Sequence, residues 1–267
     1  MHPDPRTDQP IAGPMGRTVA DMALLLGVMR SAEVSADPVL TVPRVAFSPD
    51  LGDLPVEPPV RAATARAVDA LADAGWEVVE ACPNLRGADR CFEDLRGLFQ
   101  TFHLAPLVDD ERVKATARYE IRLGLSLDAD RIAAAVATEG RIRSDWDRFF
   151  VEGQFDAFLS PTTQVSPFPV GMEWVDEIDG VSLDHYTHWM RSCSRITVTG
   201  APSASLPAGF IDGGLPVGIQ FAGQRHGDAA LVALLAAAEE VFGTAPAPDI
   251  GALATLDTKT LPPGPLG

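Results

Sequence analysis

The chain has 267 residues, with 21 Lys and Arg against 37 Asp and Glu, which gives a formal net charge of −16 at pH 7. Hydrophobic residues make up 46% and charged residues 22%, as in folded globular proteins, so the composition excludes a wholly disordered chain. The acidic balance disfavours binding to nucleic acid, which requires a basic surface. No apolar run reaches the roughly 18 to 20 residues of a membrane span, so we expect no membrane partner either.

The N-terminus and the cysteines bear on where the protein works. Residues 1–5 read MHPDP and contain neither a basic leader nor an apolar core, so we expect no secretory signal. The cysteines at positions 82, 91 and 193 have no C-x-x-C spacing and are odd in number. We therefore expect reduced thiols and a cytoplasmic protein.

The first third of the chain predicts two helices and two strands. Thr18 is a good N-cap and Asp21 follows three residues later, which predicts a helix over residues 17–30. Its apolar face consists of Val19, Met22, Ala23 and Leu26. The next predicted elements are a strand at 44–48, a helix at 58–74 and a strand at 76–80. A strand–helix–strand order of this kind predicts parallel pairing of the two strands.

The remaining two thirds predict a helical middle and a mixed C-terminal part. Residues 89–153 are mostly helical in pattern, and the strongest amphipathic stretch spans 128–150. The later predicted elements are strands at 155–160, 203–206 and 217–222 and a helix at 228–242. Pro and Gly are frequent in residues 244–267, so we expect an irregular tail. With neither a repeat nor a linker in evidence, we predict one α/β domain over residues 1–267.

Motifs of several enzyme classes are missing from the sequence. It contains no G-x-S-x-G elbow, P-loop, H-E-x-x-H motif or dinucleotide-binding glycine fingerprint. Asp184, His185 and His188 form the best metal-like cluster, but zinc and iron sites need three or four convergent, supported ligands. We expect a partly buried helix surface there, with no metal and no cofactor. A Ser–His–acid triad assembled from distant residues stays open.

Four segments, in this order along the chain, resemble the amidase signature family of amide hydrolases. They are residues 13–21 (GPMGRTVAD), 156–163 (DAFLSPTT), 199–209 (TGAPSASLPAG) and 214–220 (GLPVGIQ). Thr197 departs from the pattern, because relatives usually carry Asn there. The resemblance implies the C-terminal part of an α/β sandwich with a mixed central sheet flanked by helices.

The resemblance also implies which groups perform the chemistry. Family members use a Ser nucleophile, a bridging Ser and a Lys base, all supplied by the N-terminal half of the fold. The 267 residues contain two lysines, Lys114 in a charged helical stretch and Lys259 in the tail, and no Gly-Ser-Ser-Gly cluster. We therefore assign no catalytic residue and expect this chain alone to be inactive toward amides.

The helix that precedes the T-G-x-P run lines the acyl pocket in relatives. It is predicted here at residues 183–195, where Thr187, Met190 and Ser194 share one face. Relatives that act on a charged amino-acid amide present a carboxylate at the Met190 position. A thioether there favours an apolar or aromatic acyl group, because an ammonium would be desolvated without a partner. Thr162 is the fourth substrate-binding candidate, and simple packing of the helix face on the sheet is the alternative.

Three functional hypotheses follow from these observations. The leading one is the C-terminal portion of an amidase, with its catalytic half lost by truncation, a displaced start codon or gene splitting. The second is a split amidase completed by a separately encoded N-terminal-half polypeptide. The third is a non-catalytic module that retains the pocket for a small molecule. For the first two hypotheses, the expected ligand is a small-molecule amide.

Overall fold

The structure is a computed structural model and describes residues 12–39, 41–244 and 251. Its helices are α1 Val19–Arg30, α2 Pro58–Asp73, α3 Ala88–Leu104, α4 Ala115–Leu125, α5 Ala129–Gly153, α6 Arg191–Thr199 and α7 Asp228–Phe242. Its strands are β1 Arg44–Phe47, β2 Glu77–Glu80, β3 Ala157–Pro161, β4 Glu177–Ile178, β5 Val181–Ser182, β6 Ser203–Ile211 and β7 Leu215–Ala222. Short 3₁₀ segments lie at Ala105–Leu107, Tyr186–Met190 and Asp212–Gly214.

Five of the strands form one mixed sheet in the order β2-β1-β3-β7-β6. Strand β1 is parallel to both β2 and β3, and β7 is antiparallel to both β3 and β6. The β1–α2–β2 unit confirms the parallel pairing predicted from the strand–helix–strand order. The expected α/β class is therefore confirmed.

Both faces of the sheet are covered by helices. Along β3, Phe158 points into a core with Trp146 of α5, whereas Leu159 points into a second core with Leu235 of α7. This alternation is the two-residue period of a strand buried on both sides. The Trp146 Nε1–H donates to the carbonyl of Gly223 just after β7 (3.1 Å), which ties α5 to the sheet.

Most predicted elements agree with the structure within a few residues. Helix α1 is capped by Thr18, whose hydroxyl accepts from the Asp21 N–H at 3.0 Å as predicted, and α7 has the predicted bounds. Strand β6 is longer than predicted, because a bulge between Pro207 and Gly209 lets pairing continue. Of the predicted irregular tail, only residues 244 and 251 lie among the described ones. No helix in the described ranges combines the length and apolarity of a membrane span.

The continuous helix predicted at residues 183–195 is wrong. Leu183 is buried in a small apolar cluster with Ile178, and the chain then forms a 3₁₀ segment before α6 begins at Arg191. His185 caps the 3₁₀ segment, since its Nδ1 accepts from the Thr187 N–H at 3.4 Å. Residues 183–195 contain neither proline nor glycine, and Tyr186 at the start of the 3₁₀ segment contacts Glu120 of α4 and Arg96 of α3.

Candidate functional site

Three of the four signature-like segments meet at the C-terminal end of β3. The Thr162 N–H donates to the carbonyl of Gly218 on β7 at 3.1 Å. The Thr162 carbonyl accepts from the Ser192 hydroxyl at 2.8 Å and from the Cys193 thiol at 3.0 Å, both on α6. The hydroxyls of Thr162 and Ser205 lie 2.6 Å apart. Thr162 is thus the point where β3, β6, β7 and α6 are joined.

The hydroxyl pair of Thr162 and Ser205 depends on a glycine. A Cβ atom at Gly218 would lie 2.5 Å from the Ser205 Oγ and 2.8 Å from the Thr162 Oγ1, so any side chain there would separate the pair. In the described part of the chain, no hydrogen bond links either hydroxyl to a histidine, lysine or carboxylate. A serine needs such a base to act as a nucleophile, and none is hydrogen-bonded to Ser205 among the described residues.

The three predicted pocket residues of the 183–195 stretch lie on the segment that follows His185. Thr187 is buried, with its hydroxyl 2.8 Å from the His185 Nδ1. Met190 is half-buried where the 3₁₀ segment joins α6, and the buried Ser194 donates to the Arg191 carbonyl at 3.4 Å. The side chains of these residues and of Thr162 form no hydrogen bonds with one another within the described chain. Their assignment as a pocket stays a prediction.

A buried carboxylate holds the start of this segment. The Tyr186 hydroxyl donates to Oε1 of Glu120 on α4 at 2.6 Å, and burial raises the pKa of Tyr186 to about 12. Glu120 also forms an ion pair with Arg96 of α3 and accepts at Oε2 from Gln100 at 3.1 Å. A buried carboxylate with this many donors is fully satisfied and fixes the segment against α3 and α4.

A second charged group holds α6. The buried Arg195 binds Asp89 with two parallel bonds, Nε–Oδ1 and Nη2–Oδ2, both 2.8 Å long. Its Nη1 donates to Asp53 at 2.5 Å and to the Leu51 carbonyl at 3.1 Å. Burial alone would lower the pKa of Arg195, but the two carboxylates outweigh it and raise that pKa. Helix α6 is therefore fixed to α3 and to the loop after β1.

The two histidines of the predicted metal-like cluster are held by contacts within the protein, whereas Asp184 is exposed. His188 Nε2 lies 3.0 Å from Glu93 Oε1, and His185 contacts Thr187 and stacks on Tyr119 at 4.3 Å between ring centroids. Burial lowers the pKa of His185 and so favours its neutral form. Within residues 12–39, 41–244 and 251, no group of three or more His, Cys, Asp or Glu has the arrangement of a metal site.

Two residue pairs of this site were not predicted from the sequence: Thr162–Ser205 and Arg195–Asp89. Ser205 stands in the T-G-x-P-x-x-S-x-P-x-G segment, so the motif itself marked it, but its pairing with Thr162 could not be read without the strand register. The Arg195–Asp89 pair joins residues 106 positions apart and carries no local signal.

Comparison with known proteins gives consistent matches. The family model described as Amidase matches residues 101–232. An acylamidase of Rhodococcus erythropolis is 27% identical over 255 residues, covering 86% of this chain and 52% of the relative. An indoleacetamide hydrolase of Bradyrhizobium japonicum is 31% identical over 245 residues, covering 84% and 50%, respectively. The chain thus spans about half the length of the curated relatives it matches.

Solved structures match most of this chain and about half of their own length. A bacterial aryl acylamidase described as belonging to the amidase signature enzymes has a TM-score of 0.73 at 22% identity, covering 86% of this chain and 52% of that chain. A crystal structure described as an amidase has a TM-score of 0.75 at 23% identity, with coverage of 85% and 52%. These structures share the mixed sheet and its flanking helices.

Proposed function

Because this chain belongs to the amidase signature family, we propose that it forms the pocket-bearing C-terminal portion of an amide hydrolase. The observation that carries the proposal is the convergence at Thr162 of three segments that resemble the family's motifs. The proposed reaction is hydrolysis of an amide C–N bond.

The proposed substrate carries an apolar or aromatic acyl group. The relatives named above are an acylamidase and an indoleacetamide hydrolase, which supports an amide of this class. Met190 supports it independently, because a half-buried thioether accommodates apolar groups but offers no partner to an ammonium. In this proposal Thr187, Ser194 and Thr162 flank Met190 along the acyl pocket.

The proposed role of this portion is binding and scaffolding. Within the described part of the chain, no histidine, lysine or carboxylate is hydrogen-bonded to the hydroxyls of Thr162 and Ser205. Lys114 is exposed at the start of α4, whereas a lysine that serves as a base is shielded from water. Lys259 lies outside the described residues. We therefore assign the nucleophile and its base to the N-terminal half of the fold, joined to this chain or supplied separately.

Complementation tests this function. The 267-residue chain is assayed alone and after co-expression with the N-terminal half of the R. erythropolis acylamidase, with indole-3-acetamide and an anilide as substrates. We expect no turnover by the pure chain and measurable turnover by the complex. Turnover by the pure chain, or a stable complex that hydrolyses neither amide, would contradict the proposal.

The acyl pocket is tested in the same complex. Met190→Glu should lower kcat/KM for the aromatic amide and raise it for a cationic amino-acid amide, because the new carboxylate would pair with the ammonium. Met172→Glu is the matched control, since Met172 is an exposed methionine in the loop between β3 and β4. Equal effects of the two substitutions on kcat/KM would contradict the placement of Met190 in the acyl pocket.

A further inference from the structure

Two histidines attach residues 185–190, which we call the 185–190 segment, to helices α3 and α4. His185 stacks on Tyr119 of α4 with 4.3 Å between the ring centroids, and His188 Nε2 lies 3.0 Å from Oε1 of Glu93 on α3. The two histidine rings are 6.0 Å apart and steeply inclined to each other. The segment is therefore held at two points by side chains of the type that changes charge near neutral pH.

The hydrogen bonds of His185 require its neutral form. The Thr187 N–H donates to His185 Nδ1 at 3.4 Å, and the Thr187 hydroxyl lies 2.8 Å from the same nitrogen. A backbone N–H can only donate, so Nδ1 keeps its lone pair and the ring proton lies on Nε2. A proton on Nδ1 would take the acceptor away from the Thr187 N–H and so remove the cap of the 3₁₀ segment.

Each histidine also has a buried nitrogen that makes no hydrogen bond within the described chain. These two atoms are His185 Nε2 and His188 Nδ1. A charged His185 could donate from Nδ1 to the Thr187 hydroxyl, but its Nε2–H would stay buried without an acceptor. The docked position thus offers a charged His185 fewer hydrogen bonds than water does.

The surrounding charges do not offset the burial of His185. Two carboxylates favour a positive charge on the ring, whereas a guanidinium and the second histidine oppose it. Burial outweighs these contributions and lowers the pKa of His185 below its ordinary value of 6.5. The charged and titratable groups around the ring are Glu93 and Arg96 on α3, Glu120 and Tyr119 on α4, and Tyr186 and His188 on the segment itself.

We propose that the 185–190 segment is an acid-sensitive latch, which is docked on α3 and α4 while His185 is neutral and is released when His185 takes up a proton. Release brings the charged ring into water. The released form binds the proton more tightly than the docked form, so a fall in pH through 6.5 and below favours release. In a consequence that rests on the proposed function, acid would also weaken acyl-group binding, because Thr187 and Met190 lie in this segment.

Hydrogen exchange of the 267-residue chain at pH 7.5 and pH 5.0 tests the latch without an amide substrate. Each rate is divided by that of an unfolded peptide at the same pH, so the ratio reports how often the segment is open. For amides of residues 185–191, we expect this opening to rise about 5- to 30-fold at pH 5.0, the upper figure being that of a docked form that takes up no proton. Amides of α7 monitor general acid destabilisation and should change less than those of the segment.

His185→Asn separates this ring from the other acid-sensitive groups. An Asn side chain can accept from the Thr187 N–H but does not titrate, so the segment should stay protected at pH 5.0. His226→Asn is the matched control, because His226 is an exposed histidine in the turn between β7 and α7, and it should open like the unmodified chain. If acid opens the segment of His185→Asn as much as that of the unmodified chain, His185 is not the latch.

An NMR titration of the histidine rings in the unmodified chain covers the case in which His185→Asn is open at both pH values. The His185 ring should take up its proton over the same pH range in which residues 185–191 lose protection. Protonation of His185 in a segment that stays protected would overturn the latch. A working latch in a chain that hydrolyses no amide, alone or complemented, would refute the proposed function and leave this inference standing.

Discussion

Helices α3 and α4 cross at two glycines, and replacing one of them is a sharp test of the packing that supports the site. A Cβ atom at Gly124 would lie 2.0 Å from the Gly97 carbonyl oxygen and 2.2 Å from the Thr101 Oγ1. The shorter distance is 1.4 Å less than the 3.4 Å at which ordinary contact begins, and the obstacle is backbone. Gly124→Ala therefore forces the two helices apart.

The expected loss of unfolding free energy is large because Glu120, which holds Tyr186, lies on α4 close to this crossing. Overpacking costs about 1–3 kcal/mol, against a gain of about 1 kcal/mol from replacing glycine by alanine in a helix. Moving α4 also separates Glu120 from Arg96 and Tyr186, and breaking a buried ion pair costs about 3–5 kcal/mol when it is complete. If Glu120 separates only partly from its two partners, we expect Gly124→Ala to lower the free energy of unfolding by about 2–4 kcal/mol, or the Tm by roughly 5–15 °C.

Urea unfolding followed by circular dichroism measures this loss. Gly140→Ala on α5 is the control, because a Cβ atom there meets nothing within 4 Å. That variant should gain about 0.5–1 kcal/mol from helix propensity alone. If Gly124→Ala is as stable as the unmodified chain while Gly140→Ala behaves as expected, the close crossing of α3 and α4 is wrong.

Three further predictions concern charged and titratable groups. Because burial raises the pKa of Tyr186 from near 10 to about 12, its stabilisation is present below pH 10 and is lost as the pH rises toward 12. The difference in unfolding free energy between the unmodified chain and Tyr186→Phe should shrink across that window, and a constant difference would contradict the burial. Arg195→Met should lower the free energy of unfolding in urea by about 1–3 kcal/mol, because Asp89 is partly exposed and stays near Arg191 but loses two charged hydrogen bonds; an unchanged free energy of unfolding would show that the pair is solvent-screened. Burial raises the pKa of Cys91 to about 12, so alkylation at pH 8 followed by mass spectrometry should modify Cys91 only on unfolding, and rapid modification in the native protein would refute its burial.

Elements whose signals are local could be predicted from the sequence. The Thr18 cap lies beside the helix it begins, and the apolar period of α7 is complete within residues 228–242. The parallel β1–β2 pairing followed from the short helical connection between them. In each case, the residues that determine the structure are neighbours in the chain.

Features that depend on distant contacts could not be predicted. The sequence predicted Thr187, Met190 and Ser194 on one face of a continuous α-helix, whereas the segment is 3₁₀ up to Met190 and α-helical from Arg191. Thr187 and Met190 still share a face, because residues three apart eclipse in a 3₁₀ helix, and the pocket assignment stays a prediction. That break is stabilised by the bond from Tyr186 to Glu120, which lies 66 residues earlier. The four motif segments indicated the family, whereas the meeting of three of them at Thr162 depends on the register of β3, β6 and β7.

Covalent labelling shows whether this chain only shapes the acyl pocket or also supplies the nucleophile. The chain and its complex with the N-terminal half are treated with an aryl fluorophosphonate, and adducts are located by peptide mass spectrometry. We expect an adduct on a serine of the N-terminal half in the complex and none on this chain. Stoichiometric labelling of Ser205, or of any other serine of this chain, would contradict it.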